Sequence, residues 1–573
     1  MYTALKVATL AAGLGLILAA TAQETQMAPD AESIRRELAP RPPSLEREIL
    51  YRVLLAELAG KRGRMQEAMQ NYLAAAHAST DPRLAERALG VALYLKDEQA
   101  ALDMARRWQS LEPQAEGARR ALAVLLLRVG EVDGALAQLD QLRQNNRNNG
   151  QDGFGMVAAA LSQIEDKELV LHVLEIMRSR RPDDIQAHYY HALTALGLNR
   201  PQLALDSLAQ VLQRAPEWSA AHLLKAQVLL DMGRRDEALA DLEQALARYP
   251  EQAELRMGYA RLLVSARRLD EAEAQFRRLV EAEPSNGEAL YALGLLNAET
   301  RRYEQARGYF LRALELKPEQ QAADLYIELG KLDEAQGRFA EARGWYERVP
   351  EGERYLGAQL LIGGLLAKGG DLAGMTAQLA TLRQRYPRER ASLYIAEAEI
   401  LRDVKQYQRA FTVLDEALQQ FPDDPQLRYS RALAAERIDR LDVLEQDLRA
   451  LIESNPENGQ ALNALGYTLA DRTDRYQEAL GYLERAIALL PEDAAVLDSM
   501  GWVKYRLGDY PAALEYLRKA YARSQDGEIT AHLCEVLWHS GSRDEALELW
   551  RQAIGRMPED EHLREVQQRF GWQ

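Results

Sequence analysis

His188 and His191 stand three positions apart, the spacing at which two imidazoles one helical turn apart can hold a transition metal. Towards the other end, His532, Cys534 and His539 place a thiol between two imidazoles. Such a set can ligate zinc, or act as a nucleophile if a base activates an exposed thiolate. GFGMVAAA at 153–160 matches the opening glycines of a dinucleotide-binding loop, a reading that also needs a strand before it and a helix after it. Acidic pairs are abundant, but they fall in turns and on polar faces. No Walker motif, HExxH, paired CxxC or GxSxG occurs.

Whether any of these side chains meet depends on the elements that carry them, and those elements recur. Pro216, Pro250, Pro284 and Pro318 are spaced by 34 residues, and Pro387, Pro422, Pro456, Pro491 and Pro558 continue the step with small slips and skipped marks. A fixed period of this length signals stacked helix-turn-helix units. Each unit has a small residue near its tenth position (Ala226, Ala260, Gly294, Gly330, Ala398, Gly466, Gly501). About twelve residues later comes a second one (Ala238, Ala272, Ala306, Ala342, Ala410, Ala479, Ala513). Small residues are required where two helices cross closely. Four residues beyond the second mark stands a bulky one: Leu242, Phe276, Phe310, Tyr346, Leu414, Leu483, Leu517 or Trp550. It is expected to fill the space between neighbouring units. Turns such as MGRRDEA, ARRLDEA, LGDYPAA and SGSRDEA separate the helices, with Asp expected to cap the next one.

This pattern resembles the tetratricopeptide repeat, and it implies an all-α superhelical solenoid. The repeat also explains the chemical candidates. His222 follows His188 by 34 residues, in the same slot of the next unit. Cys534 occupies the small-residue slot of Gly466 and Gly501, where size is what matters. Repeats consume nearly the whole chain and leave no room for a catalytic domain, so the chain is expected to be neither an enzyme nor the carrier of a cofactor or metal.

Composition agrees. The chain has 573 residues, 47% hydrophobic and only 7% aromatic, with a net charge of −16. That surface repels phosphate backbones, and no basic stripe offsets it, so nucleic acid is excluded as a partner. A single cysteine, Cys534, makes an internal disulfide impossible. The N-terminus reads MYTALKVATLAAGLGLILAATAQETQ, with Lys6, an apolar run and Ala20-Thr21-Ala22 before Gln23. This is the layout of a secretory signal, with an uncleaved membrane anchor as the alternative.

The expected layout is a signal at 1–22 and a Pro-rich leader at 23–44. Degenerate helical repeats follow at 45–147, then two repeat arrays at 148–350 and 351–558, and a capping helix at 559–573. Stacked helix pairs present an extended inner face built from the first helix of each unit. In the middle units that face is expected to carry Leu223, Leu230, Met257, Val264, Tyr291 and Leu295, an apolar strip suited to an extended chain. In the C-terminal units it carries Asn463, Tyr467, Asp498, Trp502, Tyr505 and Trp538. Aromatic residues with a few polar groups suit recognition. Packing against the next unit is the competing role for Trp502 and Tyr505.

The export-type start, the PRPP leader, the degenerate first repeats and the motifs LNALGYTLAD, LDSMGWVKYR and EALELWRQA are together similar to a family of pseudomonad envelope proteins. Those proteins act as adaptors for a carboxyl-terminal processing protease. The resemblance implies a periplasmic scaffold that brings the protease to substrates such as peptidoglycan hydrolases. Family members are outer-membrane lipoproteins, whereas here Ala22-Gln23 stands where the lipidated cysteine would be. Membrane contact is then expected only through the N-terminal segment. The expected protease contact is the leader and first helices, at Ile34, Leu38, Ile49, Leu54 and Leu55, which are apolar and lie at the free end of the array. A structural scaffold for polysaccharide export or pilus assembly would have the same repeats and signal.

Overall fold

The structure is a computed structural model that describes residues 45–148, 153–317 and 322–572. Among these there are 31 α-helices, from Leu45–Lys61 to Glu561–Phe570, one 3-10 turn at Pro387–Glu389 and no strand. Most helices are 13 or 14 residues long and come in pairs, such as Ser219–Asp231 with Arg235–Arg248 and Gly459–Arg472 with Tyr476–Leu489. Helices this short are marginal alone, so packing of their apolar faces holds them. The chain divides into two compact units, the first ending at Gln275 and the second beginning at Phe276.

The first helix of a pair stops in the same way in unit after unit. Gly233 has φ 74° and Gly508 φ 85°, the left-handed conformation that a side chain disfavours. The amides of the next residues reach back into the helix, Arg234 N–H to Leu229 O at 2.8 Å and Asp509 N–H to Lys504 O at 2.9 Å, the Schellman arrangement. Lys96, Asn199, Arg267, Arg301, Lys405 and Asp439 adopt the same conformation with φ between 55° and 62°.

Helix starts differ from the expectation drawn from the turns. In MGRRDEA, ARRLDEA and SGSRDEA the aspartates Asp236, Asp270 and Asp544 lie inside the first helical turn, where negative charge favours the helix dipole. Only LGDYPAA conforms, Asp509 accepting from Ala512 N–H. Side-chain caps instead recur at the start of the first helix of a pair, at Asp184, Asn286, Asp424, Asn458, Asp493 and Asp526, and again at Asp560 before the last helix.

The small and bulky slots interlock, but within a unit rather than between units. A Cβ placed on Gly501 would lie 2.6 Å from Leu517 Cγ, and one on Gly466 would lie 2.6 Å from Leu483 Cγ. Gly294 lies against the Phe310 ring and Gly330 against the Tyr346 ring in the same way. The bulky residue of the second helix therefore occupies the space left by the small residue of its own first helix. At the C-terminal end, Trp550 Nε1 donates to Leu563 O at 3.1 Å. Trp572 is buried, 5.7 Å from the Trp550 ring and 5.3 Å from Trp538.

Candidate functional site

The residues with chemical potential are structural. His188 Nε2 pairs with Pro182 O at 2.9 Å and His222 Nε2 with Pro216 O at 3.0 Å. Arg564 serves the same slot, donating to Pro558 O at 2.9 Å, as does Arg428 to Pro422 O at 2.6 Å. A polar side chain six residues after the proline thus ties the inter-unit turn to the helix that follows. His191 instead pairs with Ser207 Oγ at 2.9 Å, and burial pushes its pKa down to about 4. Cys534 is fully buried in its small-residue slot, and burial pushes its thiol up to about 12, so it carries no thiolate at neutral pH. GFGMVAAA lies in the helix Gly153–Leu161, preceded by the helix Val132–Asn148. Among the described residues no group of three His, Cys, Asp or Glu side chains could hold a metal.

Of the expected apolar strip in the first unit, Leu223, Leu230 and Val264 are half-buried and Met257 is buried. Leu223 packs onto Gly258, its terminal methyl lying where a Cβ on that glycine would stand. In the second unit Tyr291 is half-buried with its ring 5.7 Å from Phe310, and Leu295 is exposed.

The C-terminal residues converge on the first helices Gly459–Arg472, Ala494–Arg506 and Gly527–His539. Tyr467 Oη donates to Glu528 Oε1 at 2.7 Å, joining the first and third of these helices. Asp498 Oδ2 pairs with His532 Nδ1 at 2.8 Å, and the imidazole stacks on Trp502 at 4.1 Å. Trp502 Nε1 donates to Asp471 Oδ1 at 3.2 Å. Asp498 is only 4% exposed and Trp502 only 5%. Both were expected on an open inner face and are instead buried, Asp498 paired with His532 and Trp502 stacked on the same ring. Asn463 and Tyr467 remain half-buried. Tyr505 Oη donates to Glu535 Oε1 at 3.2 Å, and Trp538 packs against Phe570 and Trp572 under the guanidinium of Arg543.

Sequence reasoning named Asp498 but passed over the other carboxylates of this cluster, Glu436, Asp471 and Glu528. Glu436 is held above the usual carboxylate range by burial, with only the Thr468 hydroxyl, at 3.4 Å, as a donor. Burial also raises Asp498. Burial works against the charged form of His532, yet the Asp498 carboxylate holds its pKa above the usual value. Burial beside Glu528 pushes the Tyr467 phenol far upward. The available signal was subtraction: Glu436, Asp471 and Glu528 fill none of the slots that the repeat requires.

At the N-terminal end, Ile34 and Leu38 lie outside the described residues. Ile49 and Leu55 are half-buried and Leu54 is 54% exposed. Leu54 belongs to a stripe with Leu50, Tyr51 and Leu58, which are 60%, 62% and 51% exposed. The 4-residue steps from Leu50 to Leu58 place these leucines on one helix face. Leu50, Tyr51 and Leu58 were absent from the expected contact.

Helix pairs of this period define a repeat scaffold. Tetratricopeptide-repeat family models match residues 229–296, 287–320, 395–443, 445–494 and 499–561. A tetratricopeptide-repeat protein of Pseudomonas aeruginosa, PA4667, is 40% identical over 492 residues, covering 86% of this chain and 83% of the relative. The chain belongs to the tetratricopeptide-repeat proteins, and its repeats make it a protein-binding scaffold. A 72-residue stretch is 42% identical to bacteriophage adsorption protein A of Escherichia coli, covering 13% of this chain and 7% of that one. A tetratricopeptide-repeat protein of Thermus thermophilus, of known structure, is 25% identical over 30% of this chain and 95% of its own, with a TM-score of 0.29.

Proposed function

We propose that the chain is a non-enzymatic adaptor of the bacterial envelope that brings a carboxyl-terminal processing protease together with protein substrates such as peptidoglycan hydrolases. The reading draws on the resemblance carried by LNALGYTLAD, LDSMGWVKYR and EALELWRQA, and on the export-type segment before Gln23. The observation that carries it is the stripe Leu50, Tyr51, Leu54 and Leu58. Four large apolar side chains more than half exposed on one helix, Leu45–Lys61, form a surface suited to a protein partner. An adaptor of this kind adds no chemistry. It raises the local substrate concentration at the protease, and it activates the protease only if it contacts the active arrangement better than the inactive one.

The test is co-purification from envelope extract with tagged protein lacking residues 1–22, read by mass spectrometry. A serine protease recovered together with hydrolases is the expected result, and Leu54→Asp with Leu58→Asp should release the protease. Recovery of an export pore or pilus complex without any protease would replace the reading.

A further inference from the structure

The carboxylates between the C-terminal first helices need a counter-charge. Glu436, Asp471, Asp498 and Glu528 come from four successive units, and each has a single polar side-chain donor. Glu436 has the Thr468 hydroxyl, Asp471 the Trp502 indole, Asp498 the His532 imidazole and Glu528 the Tyr467 phenol. Among the described residues no lysine or arginine ion-pairs with any of the four. Neighbouring cations are engaged elsewhere: Arg472 with Asp439 at 2.7 Å, Arg437 over the Tyr407 ring, and Arg506 on Tyr476 and the Asp471 carbonyl. The four are close enough to share one field. Glu528 acts on Glu436, Asp498, Tyr467 and His532, and Asp471 acts on Tyr467 and His532.

A second observation points to a ligand. Asp498 is buried, and its Oδ1 has no hydrogen-bond partner; Asn463 Oδ1, one unit earlier in the same slot, has none either. Buried acceptors are ordinarily paired. Both belong to the cluster that Tyr467, Glu436, Asp471 and Glu528 border, and these four are half-open to solvent. His532 serves Asp498 alone, and among the described residues the rest of the site has no positively charged donor.

We infer that Glu436, Asn463, Tyr467, Asp471, Asp498 and Glu528 form a recognition site for a lysine or arginine side chain of a bound polypeptide. A metal ion is the poorer occupant, because no three ligands converge on one point among the described residues. A cationic side chain needs no such convergence. Its several N–H donors can serve acceptors spread over helices, and an aromatic edge such as Tyr467 suits its stem. The inference rests on the scaffold reading and adds the chemistry the groove selects.

Three fluorescein-labelled decapeptides, identical except for a central lysine, norleucine or glutamate, would be titrated into the full chain by fluorescence anisotropy. The lysine peptide should bind at least tenfold more tightly than the norleucine peptide, and the glutamate peptide weakest. Glu528→Gln keeps an acceptor for the Tyr467 hydroxyl and should erase the lysine preference, as should Glu436→Gln; circular dichroism checks that both remain folded. Equal binding of the lysine and norleucine peptides, a lysine preference that survives both variants, or no binding of the lysine peptide would overturn the inference. The adaptor reading would be untouched by any of these results, since it stands or falls on the co-purified proteins.

Discussion

Glycine to alanine should have opposite effects at two positions of one unit. Gly481 lies in the helix Tyr476–Leu489, is exposed, and has no atom within 4 Å of the place a Cβ would take. Gly481→Ala therefore gains helix propensity alone, about 0.8–1 kcal/mol. Gly466, in the partner helix Gly459–Arg472, would put its methyl 2.6 Å from Leu483 Cγ, 2.9 Å from Leu483 Cδ2 and 3.2 Å from Ala479 O. Ordinary contact between carbons is about 3.5–4.0 Å, so something must move by nearly 1 Å. Leu483 is fully buried, and the carbonyl is backbone, so relief requires the helices to separate. Overpacking of this kind costs about 1–3 kcal/mol. The upper half of that range outweighs the propensity gain and leaves Gly466→Ala destabilised by about 1–2 kcal/mol. Urea unfolding of the full chain followed by circular dichroism would measure both variants. Hydrogen exchange across 459–489 would localise the loss, because long arrays need not unfold as one. Adding Leu483→Ala to Gly466→Ala should cost less than the sum of the single changes. Equal stabilisation by Gly466→Ala and Gly481→Ala would refute the interlocking of small and bulky slots.

Lys96 is an exposed side chain at φ 58°; Lys96→Gly should raise stability by about 0.5–1 kcal/mol, since relief of the left-handed conformation outweighs glycine's greater freedom when unfolded. A lower urea midpoint would contradict this. His532 is held above its ordinary 6.5 and Asp498 above its ordinary 3.8, so the native state binds protons more tightly than the unfolded chain. Their contribution is complete below the unfolded values and is lost as pH rises through the raised ones; the urea midpoint should fall from pH 6 to pH 9, and His532→Gln should flatten that slope. Trp502→Ala removes a buried indole and should cost about 3–5 kcal/mol, lowering thermal stability and peptide capture together; lost capture at unchanged stability would return Trp502 to an open groove.

The repeat was legible because it is a sum of local requirements. Gly466 with Leu483 and Gly501 with Leu517 are short-range pairs whose spacing follows from two crossing helices, and His188 with His222 is one slot filled twice. The same logic assigns Cys534 to packing, and the thiol is fully buried. The role of the turn aspartates was misread because one residue of slip separates a cap from a first-turn charge, and sequence periodicity does not resolve it. The burial of Asp498 and Trp502 was illegible for a deeper reason. A slot states which way a side chain faces, but how far neighbouring helices close over it is set by bonds such as Tyr467 to Glu528, 61 residues apart. Leu50, Tyr51 and Leu58 were missed because the degenerate first repeats blur the line between a packed and a free apolar face.

Subtracting the slots also isolates what the fold does not need. The position three residues before the small residue holds Leu223, Met257 and Tyr291 in the middle units, then Asn463 and Asp498 further on. The units with Leu, Met or Tyr there show that apolar side chains satisfy the packing. A carboxylate buried in that slot, with one oxygen unpartnered, loses solvation that an apolar residue would not lose. His532 recovers part of that loss and itself requires a buried imidazole in the next helix. Two residues are therefore committed to a charge that the solenoid could do without. Such a charge makes physical sense where the missing donor arrives from outside, and this is why the C-terminal carboxylates, rather than the aromatic rings packed around them, are where recognition should be sought.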